Sequence, residues 1–403
     1  MAAVLETGST RQRGARPWAV VGQVAAALAA AMGVGRFVYT PILPLMHAQA
    51  GLSPQWGADL ATANYVGYLV GALAGIVLPA LVRSRAVYRW SMAALAASLV
   101  LMPATSSDWV WLALRFAAGV TSALIFVIAV SALLTWLRAH ANHLIGWGFG
   151  GVGAGIALSG GLVLALRDSA TWQEAWWCAA ALTVGCVIAA WWLPLPDAGD
   201  GSTTPAEDQV GPRWFGALLT SYSLEGVGYI IAGTFLVAAI DQSAPAWVGS
   251  GAWVLVGLAA LPSCAVWAWL SRTWSRPALL VTALVVQAVG IALPVVVGGV
   301  ATALVSAALF GATFLGVATL VLAIGAHLRV ARAVAILTTG YSVGQIVGPL
   351  AVAPLLHSGY HQALLISAGI VALAAIAAAA LRVRFPHHLG PLPTRVSGRS
   401  AVR

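Results

Sequence analysis

The sequence predicts an all-α membrane protein: twelve transmembrane helices in two pseudo-symmetric six-helix halves. Three observations lead there. The composition is too apolar for water, the apolar residues fall into twelve runs of bilayer length, and the arginines collect in every second loop.

Of the 403 residues, 61% are hydrophobic and only 8% charged, whereas a soluble domain carries about 25% charged residues. So little polar surface cannot keep a chain this long dissolved, and lipid is the solvent that fits. The net charge of +9 comes entirely from arginine, since the chain has no lysine. Those arginines lie between apolar runs and form no continuous basic face, so they point to membrane topology and not to nucleic acid. Cys178, Cys186 and Cys264 all sit inside apolar runs without a CxxC or His/Cys cluster. Neither a disulfide framework nor a metal site is expected from them.

About twenty apolar residues cross a bilayer as a helix. The first half offers runs at 18–46, 56–82, 90–105, 109–137, 146–166 and 175–193. The second half offers 214–240, 247–270, 277–298, 301–328, 334–357 and 361–381. Arg11, Arg13 and Arg16 ahead of an Ala-rich stretch imitate a signal peptide. The run continues through Pro41 and Pro44 to Met46, well past a signal's apolar core, so a retained first helix is expected.

Positive loops stay in the cytoplasm. With the N-terminus inside, Arg83, Arg85, Arg89, Arg138, Arg213, Arg272, Arg276, Arg329 and Arg332 all fall inside, together with both tails. Only Arg167 falls outside, where Asp108, Asp168, Glu174 and Asp241 collect. A miscount by one helix would scramble this pattern. The expected location is therefore the cytoplasmic (inner) membrane, multi-pass, with both termini cytoplasmic. The expected organisation is a tail at 1–17, one half at 18–193, a linker at 194–213, the other half at 214–381 and a basic tail at 382–403. The linker is rich in Asp, Gly, Ser, Thr and Pro, a composition that buries too little apolar surface to fold alone. The tripeptide Gly33-Val34-Gly35 of the first span recurs as Gly226-Val227-Gly228 in the seventh, and the loops at Arg83 and Arg138 recur at Arg272 and Arg329 with nearly the same offset. That spacing argues for a parallel duplication, one known plan of secondary transporters.

Over residues 18–381 the chain resembles the major facilitator superfamily. The run from Gly33 through Arg36, Tyr39 and Pro41 to Pro44, and the stretch Ala63-Asn64-Tyr65-Val66-Gly67-Tyr68, are similar to the first two helices of its YbfB/YjiJ-type bacterial subfamily. Arg115 and Gly119 match the superfamily's fourth-helix motif. Gly151, Gly155 and Gly160 match its fifth-helix glycines loosely, and Gly344, Gly348 and Pro349 match a Gly-Pro version in the eleventh span. Arg83 and Arg272 follow Leu-Val and Leu-Ser pairs, and neither loop carries the acid of the superfamily's charge latch. The resemblance implies transport and leaves the substrate open.

Ionisable residues in lipid cost roughly 2.5–3.5 kcal/mol on insertion scales and are functional candidates for that reason. Three stand out: Arg36, Arg115 and Glu225. Arg36 and Glu225 lie on the matched first and seventh spans, which the resemblance places around a central cavity. Three readings stay open: a substrate and proton site, in which guanidinium grips an anion and the carboxyl carries a proton; a static ion pair between the halves; or one of the two side chains facing water or snorkelling. For Arg115 the resemblance implies proton coupling; the alternative is a structural arginine that bonds carbonyls or Asp108. Tyr39, Asn64, Tyr68, Tyr229 and Gln345 complete the candidate set as polar points in apolar spans, where a single such residue is more often an interhelical bond than a ligand contact.

The expected function is thus a secondary active transporter that moves a small solute, such as an organic anion or a drug-like or metabolite efflux substrate, by alternating access coupled to protons. The partners expected are solute, proton and bilayer, with no nucleic acid and a monomeric chain. The alternative is a non-transporting sensor or assembly protein on the same fold. An enzyme is not expected, since no HExxH or paired-carboxylate motif is present, and no cofactor or metal is implied. Without a lysine no Walker motif exists, which excludes ATP-driven transport by this chain alone.

Overall fold

The computed structural model describes residues 17–137, 142–166, 169–195, 212–245, 247–328, 330 and 332–386. The expectations for residues 1–16, Arg138, Arg167, Asp168, most of the linker, Arg329 and the tail beyond 386 lie outside the described residues.

Among the described residues, twelve helices are long and apolar enough to cross a membrane, as expected. They are α1 (Pro17–Ala50), α2 (Pro54–Val77), α3 (Arg85–Ala104), α4 (Asp108–Trp136), α5 (Leu144–Leu166) and α6 (Trp172–Ala190). The second set is α7 (Arg213–Asp241), α8 (Trp247–Leu270), α9 (Arg276–Val296), α10 (Val300–His327), α11 (Ala333–His357) and α12 (His361–Arg382).

The packing repeats. In the first set α1 packs on α4, α5 and α6, α4 packs on α2 and α3, and α3 packs on α6. In the second set α7 packs on α10, α11 and α12, α10 packs on α8 and α9, and α9 packs on α12. Each contact in one half thus has its counterpart six helices later. The halves meet along α5–α8, α2–α11 and the end of α1 against α7.

The glycines noted in the sequence set these contacts. A Cβ on Gly33 would lie 2.5 Å from the Gly155 Cα, and one on Gly226 would lie 2.4 Å from the Tyr341 carbonyl oxygen. Small residues let backbones approach this closely, which supplies dispersion where lipid offers no hydrophobic drive. The matched tripeptides therefore make matched contacts, α1 on α5 and α7 on α11.

The two first helices of the halves nevertheless differ. α7 is continuous, whereas α1 breaks. Its α-helical turns run Pro17–Leu28, widen to a π-helix at Ala29–Val34, and resume as α-helix at Tyr39–Ala50. The Gly35 N–H reaches back to the Ala30 carbonyl at 2.8 Å and the Phe37 N–H to Met32 at 3.2 Å, one residue further than in an α-helix. Pro41 has no N–H for the Phe37 carbonyl, which takes the Thr40 N–H at 3.2 Å instead. The Arg36 carbonyl is thereby left without that helical donor.

The structure also adds a residue to the short set of ionisable groups inside spans. Beside Arg36, Arg115 and Glu225, Asp59 sits half-buried in the second turn of α2.

Candidate functional site

The break in α1 needs donors, and α4 supplies them. The Arg115 guanidinium donates to the Gly35 carbonyl at 3.2 Å and the Arg36 carbonyl at 3.3 Å. Ser122, two turns on, donates to the Ala31 carbonyl at 2.8 Å. Arg115 is 1% exposed, and its guanidinium carbon lies 4.8 Å from the centre of the Tyr39 ring. Tyr39 is fixed in turn by its hydroxyl, which donates to the Gly57 carbonyl at 2.8 Å. The Asn64 amide donates to the Arg115 carbonyl at 3.0 Å, tying α2 to α4. Arg115, Tyr39 and Asn64 thus form one assembly around the broken helix. Of the two readings of Arg115, its observed bonds match the carbonyl-binding one, and Asp108 is not among its partners.

The break also aims Arg36 inward. Its guanidinium sits 4.4 Å from the Tyr68 ring centre, 4.9 Å from Tyr65 and 5.5 Å from Phe37. Tyr65 and Tyr68 are three apart on α2 and so share a face. Cation–π attraction to several rings offsets part of the cost of taking a guanidinium out of water. One terminal nitrogen donates to the Gln345 side-chain oxygen on α11. The Gln345 amide then donates to the Tyr229 hydroxyl on α7 at 3.0 Å. Arg36 is 2% exposed, and its Nε has no partner. Four helices, two from each half, therefore meet at one cation whose partners are all neutral.

Further hydrogen bonds cross between the halves from this level toward the end that carries Gly51 and Gly359. Thr40 donates to the Gly233 carbonyl at 2.6 Å, Tyr65 and Thr234 share a bond of 2.8 Å, and His47 meets Tyr360 at 2.9 Å. The Leu52 carbonyl can only accept, so His47 Nδ1 carries the hydrogen there and Nε2 takes the Tyr360 hydroxyl. Burial pushes the Tyr360 phenol up to about 12, so it remains a donor at neutral pH.

Glu225 lies apart. It is 0% exposed, and neither carboxyl oxygen has a hydrogen-bond partner. Ser221 and Gly228, on the same side of α7, bond α12: Ser221 donates to the Ala374 carbonyl at 2.8 Å and Ser367 to the Gly228 carbonyl at 2.6 Å. Glu225 thus points between α7 and α12 into the second half, where Gln287 of α9 acts on its carboxyl. The Gln287 amide is the polar neighbour of the carboxyl, although neither group makes a hydrogen bond of good geometry among the described residues. No ion pair joins Glu225 to Arg36 among the described residues. The static pair left open by the sequence is absent because the two side chains leave their helices in different directions, one across the interface and one into its own half.

Stacked aromatics bridge the gap. Tyr222 stacks on Tyr341 at 4.3 Å between ring centres, Tyr341 on Tyr229 at 5.4 Å, and Tyr229 on Phe314 at 6.0 Å. The Tyr229 and Tyr341 side chains also share a hydrogen bond. A chain of polar contacts thereby runs from Arg36 through Gln345 and Tyr229 to Tyr341, whose field reaches Glu225. The candidate set omitted Tyr65, Gln287 and Tyr341. Tyr65 was legible from its three-residue spacing to Tyr68, and Gln287 as an amide alone in an apolar span. Nothing in the sequence marks Phe314.

Comparison with known proteins adds two findings. The family described as uncharacterised MFS-type transporter YbfB matches residues 28–379. Among solved structures, a crystal structure of a variant of the nucleoside transporter NupG aligns over 90% of this chain and 99% of its own length, with a TM-score of 0.71 and 13% sequence identity. No curated protein sequence matches.

Proposed function

The chain belongs to the YbfB-type family of major facilitator transporters, a multi-pass membrane transporter of small solutes, and from that premise we propose that it is a proton-coupled carrier of an organic anion working by alternating access. One observation carries this reading: Arg36 is buried where both halves meet, with neutral partners only. A buried charge is ordinarily paired or put to use. A planar guanidinium ringed by tyrosines suits a carboxylate that arrives with the substrate and leaves with it.

Glu225 is read as the proton carrier. Its carboxyl is buried, with the Gln287 amide as polar neighbour and no cation beside it among the described residues, and a change in hydration during the cycle would let a proton come and go. Its separation from Arg36 supports two distinct binding events linked through Tyr229, Tyr341 and Gln345. Arg115 and Asn64 are read as the scaffold that fixes the α1 break. Tyr39, Tyr68, Tyr229 and Gln345 are read as the wall and floor of the anion site.

The remaining arguments are topological. Because the spans alternate, Arg83, Arg213, Arg272, Arg276, Arg332 and Arg382 share one face of the bundle. The positive-inside rule makes that face cytoplasmic, with both termini there and the cytoplasmic membrane as the location. The cross-half bonds of Thr40, Tyr65 and His47 lie on the other side of Arg36, so this conformation is read as closed to the outside. A monomer suffices for the cycle, since both halves come from one chain.

The test is uptake into proteoliposomes. With an acidic exterior, a carboxylate from a panel of small organic acids should accumulate, its neutral amide should not, and a protonophore should abolish the accumulation. Accumulation of the amide as fast as the acid, or indifference to the protonophore, would overturn the reading.

A further inference from the structure

Between α2 and α4, on the side away from Arg36, runs a groove of about 540 Å³ lined by Asp59, Thr62, Val66, Trp109, Ala113 and Phe116 among others. The helices are in backbone contact farther along: a Cβ on Gly67 would lie 2.1 Å from the Phe116 carbonyl oxygen, and one on Gly119 would lie 2.0 Å from that of Asn64. On the side toward Pro54 and Asp108, the small side chains of Thr62, Ala63 and Ala113 leave room between the larger Trp109, Leu112 and Phe116. At its wide end Trp56 and Trp109 meet edge to face at 5.4 Å, the pairing and depth expected of a membrane-interface anchor. The groove spans about 10 Å along the helix axis, seven residues at 1.5 Å each.

A carboxylate on this wall is unexpected. Asp59 accepts a hydrogen bond from Gln55 at 3.3 Å, and no cationic side chain among the described residues pairs with it. Helix α2 begins at Pro54 behind the Ser53 cap. Asp59 thus lies beyond the first turn, where the pull of the helix N-terminus has faded. An anion beside an apolar slot at headgroup depth matches a ligand with a cation at one end and a hydrocarbon chain at the other.

We propose that the α2–α4 groove holds one phospholipid with a primary-amine headgroup, its ammonium on the Asp59 carboxylate and an acyl chain along Thr62, Val66, Ala113 and Phe116. A cationic amphipathic solute entering sideways would meet the same carboxylate. The glycine seam favours the lipid, because backbone contact between α2 and α4 closes the way from the groove to Arg36.

The experiment uses the full-length protein in bilayers of equal phosphatidylethanolamine and phosphatidylglycerol with identical chains, released gently into detergent and weighed with its retained lipids by native mass spectrometry. Wild type should retain phosphatidylethanolamine in excess. Asp59→Asn should lower the retained ratio about three- to fivefold, the scale of a partly exposed ion pair. Ala113→Trp, which fills the slot and leaves the charge, should lower total retained lipid, while Asp59→Glu keeps the preference. Carboxylate exchange should be unchanged in Asp59→Asn. An unchanged ratio in Asp59→Asn, or equal loss of both lipids there, would overturn the proposal. So would loss of transport in Asp59→Asn with its lipid ratio intact, the result expected of a lateral solute entrance.

Discussion

Arg36 and Glu225 sit on matched helices of a repeated architecture, yet their surroundings are opposite. Arg36 reaches across the interface and touches three aromatic rings and an amide from both halves. Glu225 stays within its own half, with Gln287 of α9 as its polar neighbour. The difference traces to one local feature. α1 widens to a π-helix at Ala29–Val34, breaks at Gly35 to Val38 and turns Arg36 toward α11, whereas α7 runs unbroken and leaves Glu225 facing α12. The repeated packing gives two equivalent helices, and the break in one of them leaves Arg36 and Glu225 without a direct contact among the described residues. An ion pair would tie the halves together at this point, and that tie is absent among the described residues.

The largest effect that sharpens this comparison is expected at the break itself. Arg115→Ala removes two charge-assisted bonds to the α1 carbonyls and leaves those carbonyls buried, a loss of about 3–5 kcal/mol. The check is thermal unfolding in detergent, where Arg115→Lys should recover part of the loss. Gly33→Ala comes next. Its Cβ would press into the Gly155 backbone at 2.5 Å, so overpacking of about 1–3 kcal/mol is expected in the same assay. At Arg36 itself the effect is on binding. Arg36→Lys keeps the charge and loses the two-pronged geometry, so affinity for a carboxylate substrate should fall about tenfold, near 1.4 kcal/mol. Competition assays read that number directly. The smallest expected number breaks the comparison most cleanly if it fails. In a double-mutant cycle of Arg36→Gln with Glu225→Gln on stability, the coupling should stay within about 0.5 kcal/mol. A coupling of several kcal/mol, with the double change restoring stability, would return the two residues to a static pair.

The fold was legible because lipid leaves few choices. Twelve apolar runs and an arginine in every second loop follow from hydrogen bonding and charge in a bilayer. The repeat showed in Gly33-Val34-Gly35 and Gly226-Val227-Gly228, since close helix contact needs the same small residues in both halves. The site was less legible. Arg36, Tyr68, Tyr229 and Gln345 were found as polar points in apolar spans and do come together. The matched first and seventh spans bring Arg36 and Glu225 to one cavity only if both helices run straight, and α1 does not. The α1 break depends on Pro41, two glycines and donors from α4 acting together, and periodicity alone does not reveal such a cooperation. Asp59 does not stand out in the sequence, because it lies near a helix start, where acids are ordinary. Its distinction comes from the groove beside it, a property of two helices.

The central claim is that Glu225 carries the coupling proton while Arg36 holds the substrate. The measurement that tests it most directly is transport by Glu225→Gln in proteoliposomes, run once as substrate exchange without a gradient and once as accumulation against a pH gradient. An amide keeps the shape and cannot change charge, so the loaded carrier should still reorient. The account predicts exchange close to wild type and no gradient-driven accumulation. A well-folded Glu225→Gln protein that accumulates substrate as wild type does would contradict it.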